Sequence, residues 1–151
     1  MKFKFDVLLV IFIFLLSGCY GSDFILITTP VGSDIGTTER VSVASDGSQA
    51  DDFSANPAIS GDGRYVAFNS AATNLVNDDT NWQSDVFVHD RVTGITERVS
   101  VASDGRQGDD FSANSAISDD GRYVSFDSAA TNLVAGDTNW LFDIFVKSHT
   151  Y

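Results

Sequence analysis

The chain has 151 residues, with 21 acidic and 9 basic side chains, and its formal net charge is −12 at pH 7. Such an acidic chain repels phosphate groups, so nucleic acid and anionic lipid surfaces are not expected partners, whereas cations are favoured. The length is sufficient for one small domain.

Residues 1–19 have the organisation of an export signal. Lys2 and Lys4 precede an unbroken apolar run at positions 7–16, which is too short to cross a bilayer. The following Leu-Ser-Gly-Cys sequence, which ends at Cys19, resembles the bacterial lipobox. The resemblance implies that Cys19 is diacylated and becomes the first residue of the mature protein. We therefore predict export to the cell envelope and a lipid anchor in the inner or outer membrane. An ordinary cleaved signal is the alternative.

A repeat dominates the rest of the chain. Positions 38–88 recur 58 residues later as positions 96–146, and 40 of the 51 paired residues are identical. A period of this size is typical of stacked or radial repeats, in which each copy buries its apolar face against the next. We assign residues 38–147 to two tandem repeats, 20–37 to a linker or partial strand, and 148–151 to a tail.

Each repeat is predicted to consist of β-strands, because short β-branched and aromatic runs alternate with Gly-, Asp- and Asn-rich turns. The predicted strands of one unit are residues 57–60, 64–70, 85–90 and 96–102. The second and third are apolar on both faces. The fourth alternates, with Val99 and Val101 between Arg98 and Ser100, which predicts one solvated face. Inner strands covered on both faces and a wetter outer strand are typical of a propeller blade.

The segments 58–68 (AISGDGRYVAF) and 84–90 (SDVFVHD) resemble the TolB-type, WD-repeat-like propeller repeat of bacterial envelope proteins. The second copy matches at 116–126 and 143–146. The link at 71–84 is longer than in that family. The resemblance implies an all-β fold of four-stranded antiparallel β-propeller blades, about two in this chain. A β-sandwich is the alternative, but it would have a solvated face on nearly every strand.

Two blades do not close a ring, since propellers typically have four to eight. Residues 38–45 are predicted to form a lone fourth strand, and residues 115–147 supply three strands of a second blade. We therefore expect a homo-oligomer of three or four chains that completes a propeller ring. In it, strand 38–45 pairs beside residues 143–147, within one chain or swapped between neighbours. A truncated gene product is the alternative.

One acidic motif occurs in both copies and suggests a metal site. Oxygen-bearing side chains stand at its first, third and seventh positions: Asp79, Asn81, Asp85, and again Asp137, Asn139, Asp143. Calcium prefers six to eight oxygen ligands, so calcium is the candidate cofactor at these residues. The alternative is that Asp and Asn form Asx turns with their own backbone.

Trp82 and Trp140 lie inside these motifs. One interpretation is that they stack on a glycan or protein partner. The other, which we favour, is that they pin their loops to the sheet. Patterns typical of a nucleophile elbow, phosphate loop or zinc site are absent from the sequence, and His89 aligns with Lys147 rather than with another histidine. We therefore predict no enzymatic activity, and a lipid-anchored propeller module for binding or scaffolding. A calcium-binding adhesion protein and a fragment of a propeller-bearing hydrolase are the alternatives.

Lipidation of Cys19 is testable in growing cells. A palmitate analogue should label the wild-type chain and should not label Cys19→Ala, because in a lipobox the cysteine thiol accepts the acyl group. Equal labelling of both chains would contradict the lipid anchor.

Overall fold

A computed structural model of the protein describes residues 36–149. From Thr38 onward they belong to one compact unit. The predicted export signal, Cys19 and residues 20–35 lie outside the described residues, as do the last two residues of the tail. Within the described part of the chain, no helix is long and apolar enough to span a membrane.

Within residues 36–149, seven antiparallel strands form two sheets, which confirms the predicted all-β class. The first sheet has the order β1-β2-β3-β4 and the second the order β5-β6-β7. The strands are β1 (Ser54–Ile59), β2 (Tyr65–Ser70), β3 (Asp85–Asp90), β4 (Ile95–Arg98), β5 (Ser112–Ile117), β6 (Tyr123–Ser128) and β7 (Asp143–Ser148).

The inner strands β2 and β3 form where the apolar runs predicted them, but β1 begins three residues before the predicted start. The difference arises at Asn56, which has a positive φ of 51° and interrupts the pairing of β1 with β2 between Ala55 and Ala58. This bulge is repeated at Asn114 in β5. Asparagine tolerates the left-handed conformation better than most residues.

The predicted strand at residues 38–45 is wrong for the isolated chain. Val43 forms a single bridge with Gln49, and the segment packs beside β4, where the Thr96 hydroxyl donates to the Val43 carbonyl at 2.5 Å. A short turn brings β4 onto β3, whereas residues 38–45 would have to reach β7 about a hundred residues further along the chain. In the described part of the chain, the second sheet therefore has three strands.

The predicted solvated face of the fourth strand is also wrong. Ser100 is fully buried; its hydroxyl donates to Asp85 at 2.6 Å and accepts from the Val86 amide at 3.1 Å. The side chain of Arg98 is only 9% exposed, because it forms ion pairs with buried carboxylates. β4 ends at Arg98, and Arg98 and Ser100 thus have buried partners instead of water.

The described residues form two core clusters, one on each face of the first sheet. The larger lies between the two copies and combines Tyr65, Ala67, Val86, Val88 and Val99 with Val124, Phe126, Ala130 and Leu133. The smaller combines Phe68, Ala72, Leu75 and Phe87, and Ala50 and Val76 pack against it. As predicted, β2 and β3 are covered on both faces in the first copy.

Backbone contacts fix the second copy on the first. The Ser112 amide donates to the Ser84 carbonyl at 2.8 Å, and the Gly61 amide donates to the Asp119 carbonyl at 2.9 Å. A Cβ atom at position 61 would lie 3.2 Å from the Asp119 Cβ. Glycine at position 61, where the second copy has Asp119, therefore permits this close approach.

Candidate functional site

The candidate site consists of two tryptophan loops, residues 79–85 and 137–143, which join β2 to β3 and β6 to β7. In the first loop, the structure brings the two predicted carboxylates onto one cation of the protein itself. Arg98 Nη1 lies 3.2 Å from Asp79 Oδ1 and 3.2 Å from Asp85 Oδ2. The Asp79 and Asp85 side chains are 2% and 0% exposed.

The first tryptophan loop is tied together by further hydrogen bonds. Asp85 accepts from the Ser100 hydroxyl at 2.6 Å and from Asn81 Nδ2 at 3.1 Å, and Asp79 accepts from Gln107 Nε2 at 3.2 Å. Burial raises the pKa of both carboxyls above the ordinary value, although Arg98 acts in the opposite direction. Arg98, Ser100 and Gln107 follow the loop in sequence and were missed by motif reasoning, because their proximity depends on strand pairing.

Both asparagines form the Asx turns of the alternative interpretation. Asn81 Oδ1 accepts from the Gln83 amide at 3.0 Å, and Asn139 Oδ1 accepts from the Leu141 amide at 2.9 Å. Across residues 36–149, no group of three or more His, Cys, Asp or Glu side chains could hold a metal ion. Calcium binding stays a prediction, and in the first tryptophan loop it would have to displace Arg98.

The second tryptophan loop has the same turn without the arginine. Asn139 Nδ2 donates to Asp143 at 2.9 Å. Among the described residues, no basic side chain forms an ion pair with Asp137 or Asp143. The two loops therefore differ in charge: one is neutralised in part by a buried guanidinium, and the other is not.

The tryptophans lie on the surface of both loops, so the favoured interpretation, in which they pin the loops to the sheet, is wrong. Trp82 and Trp140 are 83% and 80% exposed. Each has a positive φ, 59° and 57°, and each follows the asparagine of an Asx turn. Gly or Asn would occupy this backbone conformation with less strain. The Asx turn therefore holds a large aromatic ring outward at a position where the backbone does not favour it.

The two histidines occupy separate structural contacts. His89 is buried, with Nδ1 2.8 Å from the Thr96 hydroxyl oxygen. His149 pairs through Nε2 with Glu97 and stacks edge-on against Tyr65, with ring centroids 5.3 Å apart. The repeat-equivalent pair in the first copy is Arg91 with Glu39, at 2.6 Å.

A cleft of about 260 Å³ lies beside His149 and was not predicted. Its lining is Arg64, Tyr65, Val88, Asp90, Thr93, Ile95, Glu97 and His149. The Arg64 guanidinium pairs with Asp90 at 2.7 Å and holds the pKa of that carboxyl well below its usual range. The cleft forms where His149, which directly follows β7, contacts Glu97 of β4. These residues are far apart in the sequence, so their spacing does not reveal the contact.

No protein-family model matches the chain, and no curated protein matches it. The resemblance to TolB-type repeats therefore stays a prediction, and the functional argument depends on the residues themselves.

Removal of Arg98 should destabilise the protein strongly. Arg98→Met leaves two carboxylates buried without a cation, and breaking a buried ion pair in this way costs about 3–5 kcal/mol. Chemical denaturation at neutral pH measures the loss. Arg106→Met, which removes an exposed pair with Asp104, should cost less than about 1 kcal/mol.

Two further measurements separate charge from packing at Arg98. Adding Asp79→Asn and Asp85→Asn to Arg98→Met should recover part of the loss. The raised pKa of each carboxyl means that the folded state binds protons more tightly than the unfolded state, so stability falls as pH rises through these values. The loss caused by Arg98→Met should accordingly shrink in acid. A loss independent of pH and of the asparagine substitutions would contradict the charge argument.

His149 should make stability depend on pH. Its hydrogen bond to Glu97 raises the pKa above 6.5, so its contribution is fully present below pH 6.5 and is lost as pH rises through the folded-state value. His149→Gln should remove this decline, measured as the difference in unfolding free energy between variant and wild type across pH 5–9. Burial lowers the pKa of His89, so this histidine changes the unfolding free energy only below pH 6.5. Because His89 is present in both proteins, its effect cancels in the difference. A constant difference would contradict the assignment.

Proposed function

We propose that this protein is a lipid-anchored, non-enzymatic binding module of the bacterial cell envelope, built from β-propeller blades. The lipobox-like sequence at Cys19 supports the anchor. The strand order of the first sheet and the packing of the second copy on its β2–β3 face support blades. The exposed tryptophans of both loops support binding.

The single observation that carries the binding role is the repeated outward tryptophan. An exposed indole adds nothing to the core, and its left-handed backbone is strained, at a typical cost of about 1–3 kcal/mol. Such strain concentrates at functional sites. Trp82 and Trp140 therefore supply two flat aromatic surfaces, one from each copy.

The loop surroundings indicate the chemistry of the partner. The chain is strongly acidic, and Asp137 and Asp143 lie in the second tryptophan loop without a basic partner in the described part of the chain. An indole beside carboxylates suits the apolar face of a sugar with outward hydroxyl groups, or a cation held over the ring. A glycan or a basic protein segment is thus the proposed partner class.

Intrinsic fluorescence tests this proposal directly, because Trp82 and Trp140 are the chain's two tryptophans. Titration of the full chain with chitosan oligosaccharides, neutral chitooligosaccharides or an oligolysine peptide should change the emission with at least one probe. Trp82→Ala and Trp140→Ala should each weaken that binding in calorimetry. Val92→Ala, which alters an exposed apolar residue in a distant turn, should leave it unchanged. Equal binding by all variants would contradict the tryptophan surface.

The calcium alternative uses the same loops and is separated by a metal readout. If the second tryptophan loop binds calcium, chelation lowers the Tm, since a ligand of the native state stabilises it by mass action. Asp79→Ala combined with Asp137→Ala then abolishes the difference. An unchanged Tm with chelator favours the Asx-turn interpretation.

A further inference from the structure

Equivalent positions of the two copies differ sharply in exposure. The uncovered face of the second sheet consists of Tyr123, Ile144 and Val146, which are 53%, 76% and 67% exposed. The residues 58 positions earlier are almost fully buried: Tyr65 2%, Val86 0% and Val88 1%. The side chains are identical or similar, so the difference arises from what covers them. In the first copy the cover is the second copy.

The second sheet also has an open edge. In the first sheet, β4 lies along β3, with Arg98 opposite Phe87 and Glu97 opposite Val88. The equivalent of β3 is β7, which among residues 36–149 has only β6 as a neighbour. Open strand edges of this kind are templates for pairing with another chain.

The equivalent of β4 exists elsewhere in the chain, at residues 37–40. Their sequence is Thr-Thr-Glu-Arg, against Ile-Thr-Glu-Arg in β4. They are exposed and outside any strand. Glu39 pairs with Arg91 in the way that Glu97 pairs with His149. The pair of Glu39 with Arg91 therefore holds residues 37–40 near the end of β3. The equivalent pair of Glu97 with His149 connects β4 to the end of β7.

Unpaired charges match the same arrangement. Arg40, the equivalent of Arg98, has no ion-pair partner among residues 36–149. Asp137 and Asp143, the equivalents of the carboxylates that Arg98 binds, likewise lack a basic partner there. A second interface with the geometry of the internal one would therefore bring Arg40 of one chain together with Asp137 and Asp143 of another.

The first copy exposes the complementary surface. Ser54, Pro57 and Ile59 of β1 are exposed, whereas Ser112 and Ser115, the equivalents of the first two in β5, are buried against the first copy. The close contact between Gly61 and Asp119 would also recur between chains, because Asp119 of one chain would face Gly61 of the next. The contact between chains would thus again have a glycine on one side, as the close approach requires.

We propose that two copies of this chain associate head to tail by repeating the interface between the internal copies. Residues 37–40 of one chain pair along β7 of the other, with Arg40 opposite Phe145 and bound to Asp137 and Asp143. The uncovered face of the second sheet packs against β1 of the incoming chain. The interface is heterologous, so each bound chain leaves one free end, and assembly continues until a ring closes or a filament grows. This association is independent of any ligand of the tryptophan loops.

A pair of one-sided variants tests the proposal in the full chain, purified in detergent. Arg40→Glu disables the incoming end and leaves the second sheet intact. Ile144→Asp disables the second sheet and leaves residues 37–40 intact. Both positions are exposed, so circular dichroism and Tm should match the wild type. Arg106→Glu and Val92→Asp place the same charges at exposed positions outside both surfaces and are the controls.

Light scattering and sedimentation give distinct outcomes. The wild type and both controls should form species larger than a monomer, each one-sided variant should be monomeric, and an equimolar mixture of the two should form a 1:1 heterodimer. A monomeric wild type, a mixture that stays monomeric, or assembly that persists in both variants would overturn the proposal. Assembly lost on calcium chelation would show that calcium, rather than Arg40, neutralises Asp137 and Asp143, and would also overturn it.

Discussion

The structure depends on the burial of one repeat copy against the next. Tyr65, Val86 and Val88 form a flat apolar face on the first sheet, and the second copy covers it with side chains of its own sheet and of the loop that follows β6. Burial of apolar surface contributes about 25 cal/mol per Å². A four-stranded sheet with two apolar faces needs such cover on both sides. In the first copy the other side is covered by Ala72 and Leu75, and Ala50 and Val76 pack against this cluster.

Polar contacts determine how the copies align once the apolar faces meet. Arg98, Asp79 and Asp85 form a buried ionic group in which each charge has a partner, and Ser100 connects that group to β3. Buried charges are tolerated when paired and hydrogen-bonded. Arg98 lies in the strand that begins the second repeat unit, whereas Asp79 and Asp85 belong to the first. This ionic group therefore also links the two units across their boundary.

The same arrangement accounts for the surface chemistry of the protein. The Asx turns that order the tryptophan loops direct Trp82 and Trp140 to solvent, so the sheets supply rigidity and the loops supply contact area. In the second copy, a nearly identical sequence that the described residues do not cover leaves apolar and charged groups exposed. Two different surfaces thus arise from one repeated sequence: one is intrinsic to each copy, and the other depends on position in the array.

The amino-acid sequence by itself determined the repeat, the all-β class, the strands β2 and β3, and the acidic loops with their tryptophans, because these depend on local patterns of side chains and turn residues. It did not reveal the bulge at Asn56 or the partners of Asp79 and Asp85. Only the tertiary structure decided that residues 38–45 form no strand in the isolated chain, that Ser100 is buried, and that Tyr65 and Tyr123 have opposite environments. The physical reason is that burial is a property of neighbours: equivalent residues in two nearly identical copies have the same propensities, and only the contacts made across the fold distinguish them.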